Sequence, residues 1–327
     1  MKTQKYNYGT AILSAFEYLL ENYKEVFVIG QGLWSPWYVG NSMTDLDKKF
    51  GKNRVIDTPV SESAITGAAI GASLAGMKSI VIHPRMDFML YAMDAIVNHA
   101  AKWSYMFGGQ AHPGVTIRAI INRGGEQGAQ HSQALHAWFA HVPGLRVVMP
   151  STVADARDLL IASVLCKDPV IYIDDRWLYE QEAYLQPIVE LDLKNQKPKI
   201  ILRGKDLTIV ASGHSSYLAR KASEKLKTLN ISAEIIDVRI LNPLHISDIV
   251  KSVKKTKKLV VVDPGWVSSG FSAELVAKVV ENIEVNCLTK PPVRIALPDA
   301  PAPTASVLEK EYYTSVENIT SAVKKLF

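Results

Sequence analysis

A carboxylate at the start of a helix of mostly small residues is the first feature that could do chemistry. Glu62 follows the turn Asp57-Thr-Pro-Val-Ser, and Pro59 suits a helix start because its fixed φ is helical and its missing N–H needs no partner there. Most residues from Ser63 to Gly76 are Ala, Gly, Ser or Thr, so we expect another group to pack very close. Glu62 is either an acid favoured by the helix dipole or a carboxylate buried against a cofactor.

A glycine-rich loop that ends in a histidine is the second such feature. The stretch Asn122-Arg-Gly-Gly-Glu-Gln-Gly-Ala-Gln-His131 follows an apolar strand and precedes a predicted helix. Its backbone N–H groups could bind an anion, but the glycine spacing matches neither a Walker loop nor GxGxxG. His131 itself is either a proton-transfer group or a hydrogen-bonded polar residue at a helix start.

Composition limits the classes of protein that these residues could serve. With 327 residues and 48% hydrophobic content, the chain is long enough for two domains. The net charge of +5 is spread out, and its densest run, Lys254–Lys258, follows a predicted helix, which argues against a nucleic-acid partner. Cys166 and Cys287 form neither a disulfide framework nor a metal cluster. No signal peptide or membrane span is expected, so we predict a cytoplasmic protein.

Predicted strands and helices alternate along almost the whole chain. Around Glu62 the order is strand, helix, strand, which implies parallel pairing with a right-handed crossover. Residues 88–106 are predicted to form one long helix, because apolar residues recur there at spacings of three and four. The predicted fold class is therefore α/β, with two doubly wound parallel-sheet domains. The predicted boundaries are a first domain at residues 1–185, a linker at 186–205, and a second domain at 206–327. One short strand is predicted within residues 176–205, where no sustained period is found.

Several motifs in one order resemble a single family. They are Asp57-Thr-Pro-Val-Ser-Glu62, Phe88, Asp94-Ala-Ile-Val-Asn98-His-Ala-Ala-Lys102, Tyr105-Met-Phe-Gly-Gly109, Gly128-Ala-Gln-His131-Ser-Gln133, Ala137-Trp-Phe, His141-Val-Pro-Gly-Leu145 and Pro150-Ser. The chain resembles the β subunit of the thiamine-diphosphate-dependent 2-oxo acid dehydrogenases, which act on pyruvate, branched-chain 2-oxo acids or acetoin. The likeness covers nearly the whole chain and implies a pyrimidine-binding domain followed by a transketolase C-terminal-like domain.

The resemblance assigns roles to particular residues. It implies that Glu62 hydrogen-bonds to the aminopyrimidine ring of the cofactor and passes it a proton, which prepares the thiazolium carbon to attack a carbonyl. Val60 and Phe88 are the other implied cofactor contacts, although Phe88 could equally be a core residue of its helix. His131 matches the active-site histidine that faces the substrate carbonyl and the incoming lipoyl group, as a general acid/base or hydrogen-bond donor.

The resemblance also implies partners, because one part of the family's active site is missing from this sequence. Members need Gly-Asp-Gly followed by Asn to hold magnesium and the diphosphate, and this sequence has no Gly-Asp-Gly. The resemblance thus implies an α subunit that holds Mg²⁺ and the diphosphate, no metal site on this chain, and self-association within a heterotetramer. A lipoyl transacylase is a further possible partner, with lipoamide as the acceptor.

Some residues depart from the family pattern. The run Ile82-His-Pro-Arg85-Met replaces an acidic and hydrophobic run before Phe88, and Arg123 lies where relatives have a small residue. Arg85, Arg123 and Gln130 are candidate substrate contacts, although the two arginines could instead lie at a subunit contact. The loop Cys166-Lys-Asp168 is one residue short where relatives bind a monovalent cation, which argues against potassium.

The leading hypothesis is oxidative decarboxylation of a 2-oxo acid with transfer of the acyl group to lipoamide. The alternative is a split transketolase-like or carboligating enzyme that acts on a polar or sugar-derived substrate, which the polar substitutions near the site would suit. A non-catalytic scaffold is a third hypothesis, and Glu62 argues against it because a scaffold would not need that carboxylate.

Overall fold

The chain folds into two units whose boundary does not follow sequence order. The computed structural model describes residues 4–35 and 37–327. The first unit comprises residues 4–122 and Trp138–Gln196, and the second comprises Arg123–Ala137 and Lys197–Phe327. The loop that carries His131 therefore groups with the C-terminal part of the chain. The predicted boundaries at residues 185 and 206 stay predictions.

A parallel sheet forms the centre of the first unit. Six of its strands run in the order β7-β8-β6-β5-β2-β4, and every neighbouring pair among them is parallel. The inner strands β6 and β8 are buried along their whole length, as expected when helices cover both faces of a sheet. β1 and β9 form a separate antiparallel pair. The strands are β1 (Gln4–Asn7), β2 (Val26–Gly30), β3 (Tyr38–Asn41), β4 (Val55–Asp57), β5 (Lys78–His83), β6 (Thr116–Ile121), β7 (Arg146–Val148), β8 (Val170–Asp175) and β9 (Glu182–Leu185).

Helices cover this sheet, and α1 packs along α6. The start of α1 is fixed by a capping box, in which the Asn7 side chain accepts a hydrogen bond from the Thr10 N–H and the Thr10 hydroxyl accepts one from the Asn7 N–H. The helices are α1 (Tyr8–Asn22), α2 (Leu46–Phe50), α3 (Glu62–Leu74), α4 (Ala101–Met106) and α6 (Val153–Leu165). The short helix α5 (His136–Ala140) spans the point at which the chain returns to the first unit.

A fully buried ion pair lies between β6 and β8, which are neighbouring inner strands of this sheet. The Arg118 guanidinium on β6 donates from Nε and Nη2 to the two carboxylate oxygens of Asp174 on β8, both at 2.9 Å. The Tyr179 hydroxyl and the Ser42 hydroxyl accept further hydrogen bonds from Nη2 at 2.7 and 3.0 Å. Since both charged side chains are fully buried, each depends on the other for compensation of its charge.

The second unit has its own sheet, in the order β10-β12-β11-β14-β15. Its pairs are parallel except for the edge pair of β10 and β12. Apolar residues of β11, β12 and β14 form a core with α7 and α11. The elements are β10 (Lys199–Leu202), β11 (Leu207–Ala211), α7 (His214–Thr228), β12 (Ala233–Asp237), β13 (Ile240–Asn242), α8 (Ser247–Thr256), β14 (Leu259–Trp266), α9 (Phe271–Val280), β15 (Val293–Leu297), α10 (Ser306–Tyr312) and α11 (Val316–Lys324).

The predicted α/β class with two parallel-sheet units is confirmed, and three local predictions are wrong. The single helix over residues 88–106 is a 3₁₀ helix (Met86–Ala92), a π helix (Ala95–Ala100) and α4. Residues 176–205, for which one short strand is predicted, contain two strands, β9 and β10. The short strands β1, β3 and β13 were not predicted. No helix within residues 4–35 and 37–327 is long and apolar enough to cross a bilayer.

Candidate active site

The first unit gathers its candidate residues at the carboxyl ends of parallel strands of one sheet, where ligands bind in open α/β sheets. β4 leads to Glu62, and β5 leads to Arg85 and Phe88. The side chain of Asp57, the last residue of β4, accepts hydrogen bonds from the N–H groups of Gly32 at 2.6 Å and Trp34 at 3.3 Å. Asp57 thereby joins the end of β4 to the loop after β2.

Glu62 is the first residue of α3, as the sequence predicts. Its N-cap residue, Ser61, makes no side-chain capping hydrogen bond. Only 8% of Glu62 is exposed, although acids that act on a helix dipole alone are usually solvated. Its carboxylate receives no hydrogen bond from any residue that the structure describes. A carboxylate without a donor among the described residues can accept a hydrogen bond from a group outside the chain.

A buried histidine supports the helix that carries Glu62. His83, the last residue of β5, lies with its Nε2 atom 3.2 Å from the hydroxyl of Thr66, which is one turn after Glu62 in α3. Burial lowers the pKa of His83 to about 3, so its ring is neutral at physiological pH. Sequence reasoning noted His83 only as a departure from the family pattern. The available signal was a histidine at the end of a strand next to this helix.

The other predicted residues of the first unit differ in exposure. Val60 is 72% exposed in the turn before α3. Phe88 is half-buried in the 3₁₀ helix, which packs against α3. Arg85 is also half-buried, and its Nη1 atom is shielded from solvent without a hydrogen bond to any described residue. These residues share one unit with Glu62, and their roles stay predictions.

The small residues of α3 leave one helix face open. Ala64, Gly67, Ala68 and Gly71 are exposed, and a Cβ atom added at either glycine would meet no atom within 4 Å. The expected close neighbour is therefore not supplied by the described part of this chain.

The remaining predicted residues lie in the second unit. Arg123 is only 5% exposed; its Nη1 donates to the Pro264 carbonyl at 3.1 Å, and its guanidinium lies 5.8 Å from the ring centre of Tyr313. Gln130 is exposed and His131 is half-buried. These partners explain why Arg123 is buried, and its substrate role stays a prediction.

The loop between Arg123 and α5 is held by carboxylates. The Glu126 N–H donates to both carboxylate oxygens of Glu309, at 3.1 and 3.2 Å. This is the kind of anion that the glycine-rich sequence could bind, and it comes from the chain itself. Helix α5 begins at His136, so the interpretation of His131 as a helix-start residue is wrong.

A buried pair of a histidine and an aspartate lies at the other end of this loop. Nε2 of His136 lies 2.9 Å from Oδ1 of Asp263, and both side chains are inaccessible to solvent. The N–H groups of Gly265 and Ser272 donate to the same carboxylate at 3.0 and 2.6 Å. Burial alone would raise the pKa of Asp263, but attraction to His136 and these hydrogen bonds outweigh burial and lower that pKa below its usual value. Sequence reasoning missed this pair, whose members are 127 residues apart.

Comparison with known proteins decides the family. Residues 4–181 match the model of the transketolase pyrimidine-binding domain, and residues 196–319 match that of the transketolase C-terminal domain. The pyruvate dehydrogenase E1 component subunit β-1 of Arabidopsis thaliana is 38% identical over 96% of this chain and 87% of its own length. The chain belongs to the E1 β-subunit family of 2-oxo acid dehydrogenases.

Other E1 β relatives agree with this placement. The yeast (Saccharomyces cerevisiae) pyruvate dehydrogenase E1 β subunit is 35% identical over 97% of this chain and 87% of its own length. The Rhizobium meliloti subunit is 36% identical over 92% of this chain, which spans 65% of that relative. A solved structure named as a split gene transketolase, an inactive β4 tetramer, covers 98% of both chains with a TM-score of 0.79 at 20% identity, which shows a shared fold. The predicted family is confirmed.

The structure also bears on where a metal could bind. Within residues 4–35 and 37–327, no group of three His, Cys, Asp or Glu side chains is arranged to hold a metal ion. The predicted location of the metal on a partner stays a prediction.

Proposed function

We propose that this chain is the β subunit of a thiamine-diphosphate-dependent 2-oxo acid dehydrogenase and that Glu62 performs its proton transfer. The observation that carries the proposal concerns Glu62, which is 8% exposed at the start of α3 and at the carboxyl edge of a parallel sheet. Its carboxylate receives no hydrogen bond from a residue that the structure describes. The relatives at 35–38% identity are named pyruvate dehydrogenase E1 β subunits, which favours a dehydrogenase of the pyruvate type over the split transketolase-like alternative.

The residues around Glu62 suit an aminopyrimidine ring. A carboxylate without a donor among the described residues can pair with a ring nitrogen or an amino group. The half-buried aromatic residue Phe88 lies on the 3₁₀ helix that packs against α3. Thiamine diphosphate, when bound, supplies the carbon nucleophile and holds the electron pair that decarboxylation releases. In this proposal Glu62 holds and returns a proton at its carboxylate, Phe88 and Val60 contact the ring, and α3 keeps Glu62 in place.

The proposed substrate contacts are His131, Gln130, Arg85 and, more weakly, Arg123. His131 is half-buried. In this proposal it donates a proton or a hydrogen bond to the substrate carbonyl. Gln130 is exposed beside it, and Arg85 in the first unit has a guanidinium nitrogen without a partner in the described chain. An anionic 2-oxo acid would suit that guanidinium. Arg123 is the weaker candidate because its guanidinium is already used within its own unit.

The proposal requires partners. The sequence has no Gly-Asp-Gly, so we assign Mg²⁺ and the diphosphate to an E1 α subunit, in a heterotetramer with two copies of this chain. A lipoyl transacylase that accepts the acyl group, and a cytoplasmic location, complete the proposal.

Turnover by the complex with its α subunit tests the proposed reaction. We expect reduction of lipoamide or ferricyanide with a 2-oxo acid, and no ketose formation from an aldehyde acceptor. Glu62→Gln should keep cofactor binding and lower kcat by about 10²- to 10⁴-fold, because the amide cannot transfer the proton. The control is Glu180→Gln, which changes an exposed glutamate of the same unit and should leave kcat unchanged. Ketose formation without acceptor reduction would instead support the transketolase-like alternative.

A further inference from the structure

The loop that carries His131 is fastened at both ends to one unit. Glu126 lies five residues before His131 and His136 lies five residues after it. Glu126 binds Glu309 of α10, and His136 binds Asp263 of β14. Residues 123–137 therefore group with the C-terminal unit, although they are separated from it in sequence.

The first anchor is a set of hydrogen bonds between the loop and α10, in which each side both donates and accepts. While the Glu126 N–H donates to Glu309, the Glu126 carboxylate accepts a hydrogen bond from the Ser306 N–H at 3.3 Å. The backbone at Glu126 is in the left-handed region, with φ of 63°, which residues other than glycine seldom adopt. Gly128 also has positive φ, and a Cβ atom there would lie 2.8 Å from the hydroxyl oxygen of Thr304. The loop is thus shaped to fit closely against the residues around the start of α10.

The second anchor is the His136 and Asp263 pair. Asp263 also accepts hydrogen bonds from two backbone N–H groups. These hydrogen bonds fix the orientation of the carboxylate that contacts the His136 imidazole. A buried carboxylate with three donors holds its partner in one orientation. His136 is the first residue of α5, so this contact fixes the point at which the loop ends.

We propose that Glu309 and Asp263 are positioning residues for His131: the two carboxylates hold both ends of its loop on the C-terminal unit. This inference rests on the function proposed above, in which His131 meets the substrate carbonyl. Neither carboxylate needs to touch substrate or cofactor. Their effect is on kcat, because a shift of about 1 Å in a reacting group can cost roughly 100-fold in rate.

Amide exchange and kinetics together test the proposal. Glu309→Ala should accelerate amide exchange of residues 124–135 by roughly tenfold, the equivalent of one hydrogen bond to a charged group. In the complex with its α subunit, kcat should fall roughly 10- to 100-fold, with KM for the 2-oxo acid and affinity for thiamine diphosphate changed less than about threefold. Glu309→Gln keeps an acceptor oxygen for the Glu126 N–H and should recover much of the lost kcat.

Glu234→Gln is the matched control. Glu234 is another buried carboxylate of the same unit, bound by the Ser252 hydroxyl at 2.5 Å and Lys255 at 2.6 Å, and none of these residues lies in the loop. It should leave exchange of residues 124–135 and kcat unchanged. His136→Ala is the second test, for the other anchor, and should accelerate exchange in the same residues.

The results separate this inference from the proposed function. Unchanged exchange in a folded Glu309→Ala chain, or faster exchange without loss of kcat in an active complex, would overturn the positioning role. A wild-type complex with no activity on 2-oxo acids would instead overturn the proposed function, and with it the role of these carboxylates in that reaction.

Discussion

His83 is a buried residue whose contribution to the stability of the fold depends on pH. In the unfolded chain its imidazole takes up a proton near pH 6.5, whereas burial in the folded chain keeps it neutral down to about pH 3. The unfolded state therefore binds more protons within that window, so stability is lost as the pH falls through it. Between pH 7 and pH 5 the loss from this group is about 2 kcal/mol.

We expect that loss to disappear in His83→Gln, whose side chain does not titrate. Urea unfolding of both proteins at pH 7 and pH 5 isolates the effect, because all other titrating groups are shared. The wild type should lose about 2 kcal/mol more than the variant on this change of pH. A difference in unfolding free energy that is the same at both pH values would mean that His83 is protonated in the folded chain.

The buried pair of Arg118 and Asp174 gives a second prediction at the residue scale. Asp174→Asn removes one charge and leaves a guanidinium that is wholly inaccessible to solvent, so the unfolding free energy should fall by about 3–5 kcal/mol. The same substitution at Asp45, whose pair with Lys48 is mostly exposed, should cost less than about 1 kcal/mol. Equal losses in the two variants, measured by urea titration, would contradict the importance of burial here.

Sequence predicted only some of the residues of the candidate site. Glu62 was identifiable because its carboxylate, turn and small-residue helix are contiguous in the chain. The partners of His83 and His136 were not, because they lie on other elements and no local pattern records them. Asp263 is 127 residues from His136, and only the fold brings the two side chains together.

At the scale of elements, two glycines of the first unit should respond in opposite directions to the same substitution. Gly67 on α3 has no neighbour for a Cβ atom, so Gly67→Ala should stabilise the chain by about 0.5–1 kcal/mol through helix propensity. At Gly144, φ is 97° and a Cβ atom would lie 1.9 Å from the Ala101 carbonyl oxygen. Gly144→Ala should therefore destabilise the chain by about 2 kcal/mol or more.

Thermal or urea unfolding of these two variants beside the wild type is the measurement. A loss of stability in isolated Gly67→Ala would show that the exposed face of α3 is already covered in the free chain. Stability of Gly144→Ala equal to wild type would contradict the close packing of this loop on the start of α4.

Sequence periodicity predicted the alternation of strands and helices, and its failures have physical causes. Residues 88–106 carry apolar side chains at spacings of three and four, which suit 3₁₀, α and π helices alike. The change of hydrogen-bond pattern along this stretch therefore leaves no mark in the sequence. The strands β1 and β3 have four residues each, too few for a repeating pattern to be recognised.

At the scale of the whole molecule, the family is established. Which parts of the active site each subunit supplies is the proposal. The family was predictable because several motifs occur together in a specific order, although each motif alone is weak evidence. Grouping of residues 123–137 with the C-terminal unit was not predictable, since it depends on contacts made by Glu309 and Asp263 far along the chain.

The central claim is that this chain supplies the proton-transfer carboxylate and its α subunit supplies the metal and diphosphate site. Isothermal titration of thiamine diphosphate with magnesium tests it most directly, with this chain alone, the complex with its α subunit, and the complex carrying Glu62→Gln. We expect no tight binding to the chain alone, binding to the complex, and binding without 2-oxo acid turnover in the variant complex. Tight, magnesium-dependent binding to the chain alone would contradict the account.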